Sequence, residues 1–333
     1  MNGQHIQRRL VLMAVLMVAI VVFAANIGAM RLSLPMVWQS TRDSMIWQIW
    51  WNIRLPRVLL AVLVGSALAL SGGVMQGLFR NPLADPGLLG ISSGAALMVA
   101  ISVVIPLSLP AMLALWWPML AAFIGSLAVT VVIFTLSRSG SGTLSRLLLV
   151  GIAINAVCGA AVGVLSWISN DQQLRQLSLW GMGSLGQAQW STVIASAVII
   201  LPAMVATQWQ ARRLNLLQLG DEEAHYLGVD VKHTQRILLV LSALMVAASV
   251  AVSGVIGFVG LVVPHLMRMC IGSDHRWMLP AAGLAGAILM LIADTLARTV
   301  VAPAEMPVGL LTSLLGAPWF LWLILRRREG RYD

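Results

Sequence analysis

The 333-residue sequence predicts an all-α membrane protein, a single domain over 1–333 with about ten transmembrane helices. Three observations predict it. Hydrophobic residues make up 59% of the chain and charged ones only 10%, against roughly 25% charged in an average soluble protein, so little of the surface suits water. From Val58 to Leu78 no charge occurs over 21 residues; at about 1.5 Å per residue, such a helix crosses a hydrocarbon core of about 30 Å. Apolar runs of similar character then recur along the chain.

The first run, Leu10 to Ala25, follows Arg8 and Arg9 in the manner of a signal peptide. No A-x-A-type site closes it and nothing downstream looks secreted, so it reads as a retained first span. Nine more runs follow, at 57–79, 88–107, 110–136, 146–168, 190–208, 236–256, 258–272, 277–298 and 307–325. An even number of spans puts both termini on one side. The Arg8/Arg9 start and the tail arginines Arg326, Arg327, Arg328 and Arg331 make that side cytoplasmic, and 15 of the 21 basic residues then fall inside, as the positive-inside rule requires.

Three connecting segments are long. Residues 26–53 carry Trp38, Trp47, Trp50 and Trp51 and read as an outer interfacial helix, because indole rings settle at headgroup level. Residues 169–189, with Asn170, Asp171 and Arg175, read as a short helix across the outer mouth. The inner loop 209–235 gathers Asp221, Glu222 and Glu223 ahead of Leu227. Acids are favoured at a helix N-terminus, so this segment should form one or two helical turns at the cytoplasmic surface.

Several chemistries are excluded by what the chain lacks. There is no GxxxxGK[ST] loop, and the single lysine, Lys232, sits in DVKHT without a glycine cradle, so ATP is not held here by that device. No HExxH motif and no nucleophile elbow occur, and no carboxylates pair at working spacing, so no catalytic residue is assigned. The net charge of +9 is scattered between apolar runs and forms no basic stripe, which argues against nucleic acid. Cys158 and Cys270 form no CxxC and read as packing residues. His265 follows Pro264 with no second ligand spaced to join it, so no metal site is assigned.

Read from the residues alone, Arg54, Arg57 and Arg298 are span-end arginines reaching for headgroups. Asn81 to Gly87, with two prolines and a glycine, is a turn between helices. Asp294 and Arg298 are four apart and share a helix face as an ion pair that makes the aspartate tolerable in the membrane. Glycines and serines at 65, 66, 71, 72 and 73 permit close helix approach, within one subunit or between two.

The stretches RLPR, SGGVMQ, NPLADPGLLG and SSGAA between Ile53 and Ala96 resemble the FecCD-type permeases of bacterial ABC importers for iron-siderophores, haem and cobalamin. The likeness runs from about Arg54 to Leu325. It implies an inner-membrane homodimer with the translocation path on its two-fold axis, working with a periplasmic substrate-binding protein and two ATPase subunits that hold ATP and Mg; this chain then needs no cofactor. It also implies roles: Arg54, Arg57 and Arg298 dock the binding protein; Asn81, Leu83 and Ser145 form the cytoplasmic gate; Asp221, Glu222, Glu223, Ala224, His225, Leu227 and Gly228 couple to the ATPase. Overall likeness leans to haem as substrate, ahead of a ferric siderophore or cobalamin. An ion-driven secondary transporter would show inverted halves and intramembrane acids for the coupling ion; only Asp294 qualifies.

Overall fold

The computed structural model describes residues 3–28, 34–42, 44–105, 108, 110–136, 143–302 and 304–329, and no strand occurs among them. The helices are α1 (Gly3–Asn26), α2 (Leu34–Gln39), α3 (Met45–Ile49), α4 (Leu55–Leu78), α5 (Ile91–Val104), α6 (Ala111–Leu136), α7 (Thr143–Ile168) and α8 (Asp171–Gly181). They continue as α9 (Trp190–Trp209), α10 (Ala211–Leu217), α11 (Asp221–Tyr226), α12 (Val231–Ser253), α13 (Val259–Ile271), α14 (His275–Ala297) and α15 (Val308–Glu329). Among the described residues seven helical stretches are long and apolar enough to cross a membrane. Three shorter apolar helices, α5, α13 and the body of α15, occupy the remaining predicted positions.

The bundle is built around α4. In the most apolar stretch of that helix 83% of residues are buried, against 11% in α1 and 17% in α7, so α4 is the axis and the other two present their apolar faces outward. In hydrocarbon, apolarity does not tell a helix which side to bury, and close backbone approach does. Gly65 of α4 lies so near Gly286 of α14 that a Cβ on either would strike the other's carbonyl. A Cβ on Gly72 would strike the Gly260 carbonyl of α13, and Gly94 of α5 and Gly125 of α6 meet as Gly65 and Gly286 do. Ser66 donates to the Gly283 carbonyl at 3.1 Å. The small residues of α4 therefore serve packing within this subunit.

One expectation is revised. Residues 26–53 do not form one interfacial helix: α2 stands apart as a short helix, and α3 runs through a π-helical turn at Trp50–Arg54 straight into α4. Pro56 explains the wide turn. Its ring would press on a carbonyl four residues back and it has no N–H to give, and an i→i+5 turn relieves both; the Leu55 amide accordingly reaches back to Trp50. Trp47 and Trp51 stack at 6.0 Å, and Trp190 caps the group, donating its indole N–H to the Trp51 carbonyl at 3.0 Å.

Candidate functional site: an ion-pair knot and a tethered helix

The start of α4 meets the finish of α14 at one end of the bundle, the arginine end, while the finish of α4 meets α10 and α11 at the opposite, loop end. At the arginine end the three predicted arginines converge, each turned inward and only 5–6% exposed. Arg57 lies against Asp294, with Nη2 to Oδ1 at 2.9 Å and Nε to the same carboxylate at 3.0 and 3.1 Å. Its Nη1 reaches Glu305 at 2.8 Å. Arg298 approaches Asp294 from one helical turn on, at 3.5 Å, and donates to the Ala24 carbonyl at 2.7 Å. Arg54 donates to the Asn26 carbonyl at 2.7 Å.

Two guanidinium groups, those of Arg57 and Arg298, thus share Asp294, Arg57 holds Glu305 as well, and Arg54 and Arg298 tie down the end of α1. The i,i+4 pair of Asp294 and Arg298 forms as its spacing predicts. The three arginines do not reach out for headgroups as their span-end positions suggest. Burying an unpaired guanidinium is expensive, so the chain supplies its own counter-charges and backbone acceptors. Glu305 escaped the sequence reading because it lies in a loop 248 residues from Arg57; its side chain is half exposed.

At the loop end, α4 stops at Phe79, and Arg80 takes a left-handed backbone conformation, φ 49°. The Asn81 side chain accepts from the Leu83 amide at 2.9 Å, closing an Asx turn. Asp85 then caps the following helical turn by accepting from Gly87 at 2.6 Å. Asn81 and Leu83 are exposed on this turn. Ser145 falls in the first turn of α7, and its side chain lies outside the described residues.

The predicted acidic helix is present as α11, with all three acids in its first turn. It ends in a Schellman cap: the Gly228 amide bonds the His225 carbonyl, and the Val229 amide bonds that of Ala224. Gly228 has φ 85°, and a Cβ there would meet nothing within 4 Å among the described residues, so conformation rather than crowding demands glycine. Ala224 is fully buried, whereas Tyr226 and Leu227 stand 85% and 57% exposed. The outward apolar pair is therefore Tyr226 with Leu227; Ala224 seats the helix on its own subunit.

The turn and the helix are joined. Arg80 donates to the Leu217 carbonyl at 2.9 Å and pairs with Asp221, while Gln218 donates to the Gly77 carbonyl at 2.6 Å. His265 is buried, and no group of three or more metal-ligating side chains occurs among the described residues.

The chain is 66% identical over 333 residues, 99% of each chain, to the hemin transport system permease protein HmuU of Yersinia pestis. It is 42% identical over 293 residues to the vitamin B12 import system permease protein BtuC of Salmonella typhimurium, covering 88% of this chain and 87% of that one. Among solved structures, a metal-chelate type ABC transporter in an inward-facing conformation superposes with a TM-score of 0.87 at 34% identity, covering 96% of this chain and 99% of that one. The match to the family's own description extends over residues 15–326, and the chain belongs to the FecCD transport family.

Proposed function

We propose that this chain is the permease subunit of an ABC importer in a bacterial inner membrane, with both termini cytoplasmic, working as a homodimer on two ATPase subunits. The arginine end faces outward to a periplasmic binding protein. The substrate is haem, supported by the 66% identity to a hemin permease. ATP and Mg belong to the ATPase partners, and this chain contributes no catalytic residue and no cofactor.

The observation that carries the mechanism is the tie from Arg80 to α11. A partner that grips Tyr226 and Leu227, with Asp221, Glu222, Glu223 and His225 setting its orientation, pulls through Leu217 and Asp221 on the turn holding Asn81 and Leu83. That turn, with Ser145, gates the path. Motion of the ATPase thus reaches the gate as a rigid shift of packed helices. At the other end, docking works by exchange: a carboxylate of the binding protein takes the place of Glu305 on Arg57, with Arg54 and Arg298 completing the cationic floor.

The test is reconstitution with the cognate ATPase and binding protein. Haem should stimulate ATP hydrolysis more than a ferric siderophore or cobalamin does; stimulation by one of those alone would reassign the substrate. Gly228→Ala, strained by about 1 kcal/mol at its positive φ, should lower stimulated hydrolysis, and Gly228→Trp should abolish it while insertion and outer docking persist. Normal transport by Gly228→Trp would remove α11 from the coupling path.

A further inference from the structure

A cavity of about 810 Å³ opens at the arginine end, within the size range of small-molecule sites. Its walls come from five places in the sequence: the start of α6, the length of α8, the segment leading into α9, the end of α12 and the loop before α15. Among its lining residues only two are charged, Arg175 and Glu305. Glu305 is committed to Arg57 at 2.8 Å. Arg175, exposed on α8, has no ion pair or hydrogen bond among the described residues.

The rest of the lining has a distinct chemistry. Four glutamines, at 172, 176, 187 and 189, offer amides, and Trp116 and Trp180 offer flat apolar faces. An unpaired guanidinium amid neutral amides selects a carboxylate or another planar anion, because its donor fork matches two oxygens at once. Indole faces select a flat conjugated body, which stacks on them. The ligand class that satisfies both is a planar macrocycle bearing carboxylate arms.

We infer that this cavity is the outer vestibule of the transport path and that Arg175 receives the propionate carboxylates of haem there. The inference rests on the proposed haem permease role and adds the group that recognises the ligand's charge. The helix carrying Arg175 is held firmly. Asn170 and Gln173 close a capping box at the start of α8, and Gln173 donates to the Val103 carbonyl of α5 at 3.0 Å, which fixes Arg175 over the cavity.

The test uses the permease–ATPase complex in lipid nanodiscs without binding protein, titrated with haem and with haem dimethyl ester, whose propionates carry no charge. The wild-type complex should bind haem about tenfold more tightly than the ester, a difference of about 1.4 kcal/mol. Arg175→Gln should lose that preference by weakening haem alone, and Arg175→Lys should keep part of it. Equal preference in Arg175→Gln and wild type, or no measurable haem binding by wild type, overturns the assignment. So does a loss of binding-protein association in Arg175→Gln with haem affinity intact, which would place Arg175 in docking. Failure of the substrate reading shows separately, as uptake by the full wild-type assembly of another chelate but not haem.

Discussion

Arg57 illustrates how one residue's role is set by neighbours far away in sequence. The RLPR stretch places it at a span end, where an arginine ordinarily reaches for headgroups. Here it is withdrawn among Asp294 and Glu305, both more than 230 residues distant. Asp294 answers two buried guanidinium groups at once, so Asp294→Ala leaves both without their shared counter-charge. A loss of about 3–5 kcal/mol is expected for breaking such a pair, read as a fall in thermal unfolding temperature of the detergent-solubilised protein; an unchanged temperature would show that the knot carries little stability. Glu305 is half exposed and, among the described residues, forms an ion pair with Arg57 alone. Glu305→Gln should free the Nη1 of Arg57 from its counter-charge and raise the association rate of the binding protein several-fold at low salt, whereas Arg57→Glu should lower it, since charge at a rim acts mainly on encounter. Slower association in Glu305→Gln would reject carboxylate exchange.

Among the elements, α11 is informative because most of its surface makes no contact within the subunit. Its acids and its terminal glycine were legible in the sequence, since helix starts favour acids and a left-handed cap favours glycine. Its anchor was not. Arg80 belongs to the end of α4 in sequence and to α11 in space, and only the fold pairs it with Leu217 and Asp221. Both partners of the ion pair are partly exposed, so the pair adds little to stability. Arg80→Ala should therefore leave assembly and basal ATP hydrolysis intact while reducing transport per ATP severalfold, measured as the uptake-to-hydrolysis ratio in vesicles. An unchanged ratio would mean that force reaches the gate by another route.

The start of α14 gives a pH-dependent counterpart. The Arg276 guanidinium bonded to Asp274, with further help from Asn215, holds that carboxyl down at about 2. A carboxyl lowered in the folded state stabilises above its ordinary value near 3.8 and loses that contribution as pH falls toward 2. Asp274→Asn should be less stable than wild type at pH 5, with the difference shrinking between about pH 4 and 2. A difference independent of pH over that window would assign Asp274 a purely neutral capping role.

At the scale of the whole molecule, the bundle depends on backbones that nearly touch. Gly65→Val would push α4 and α14 apart along the axis of the fold, at a cost of about 1–3 kcal/mol or more, and should lower the yield of folded protein in the membrane. The same change at Gly159, where a Cβ meets nothing within 4 Å among the described residues, should be tolerated unless a second copy packs there. Normal folding of Gly65→Val would mean that the α4–α14 contact is not a folding constraint.

By itself the sequence determined the class, the ten apolar segments and their approximate limits, because hydrocarbon thickness fixes how long an uncharged run must be and every backbone group in it must bond within a helix. It also determined the turns at 81–87 and 220–228, since Asn, Asp, Pro and Gly act on their immediate neighbours. The tertiary structure alone decided which helix is central, which glycines meet, and that Arg57 joins Asp294 and Glu305 while Arg80 joins α11. Apolar residues look alike to lipid and to protein, so periodicity does not say which face of a membrane helix is buried. Nor does an arginine's place in the chain say which distant carboxylate it will meet once the helices have packed.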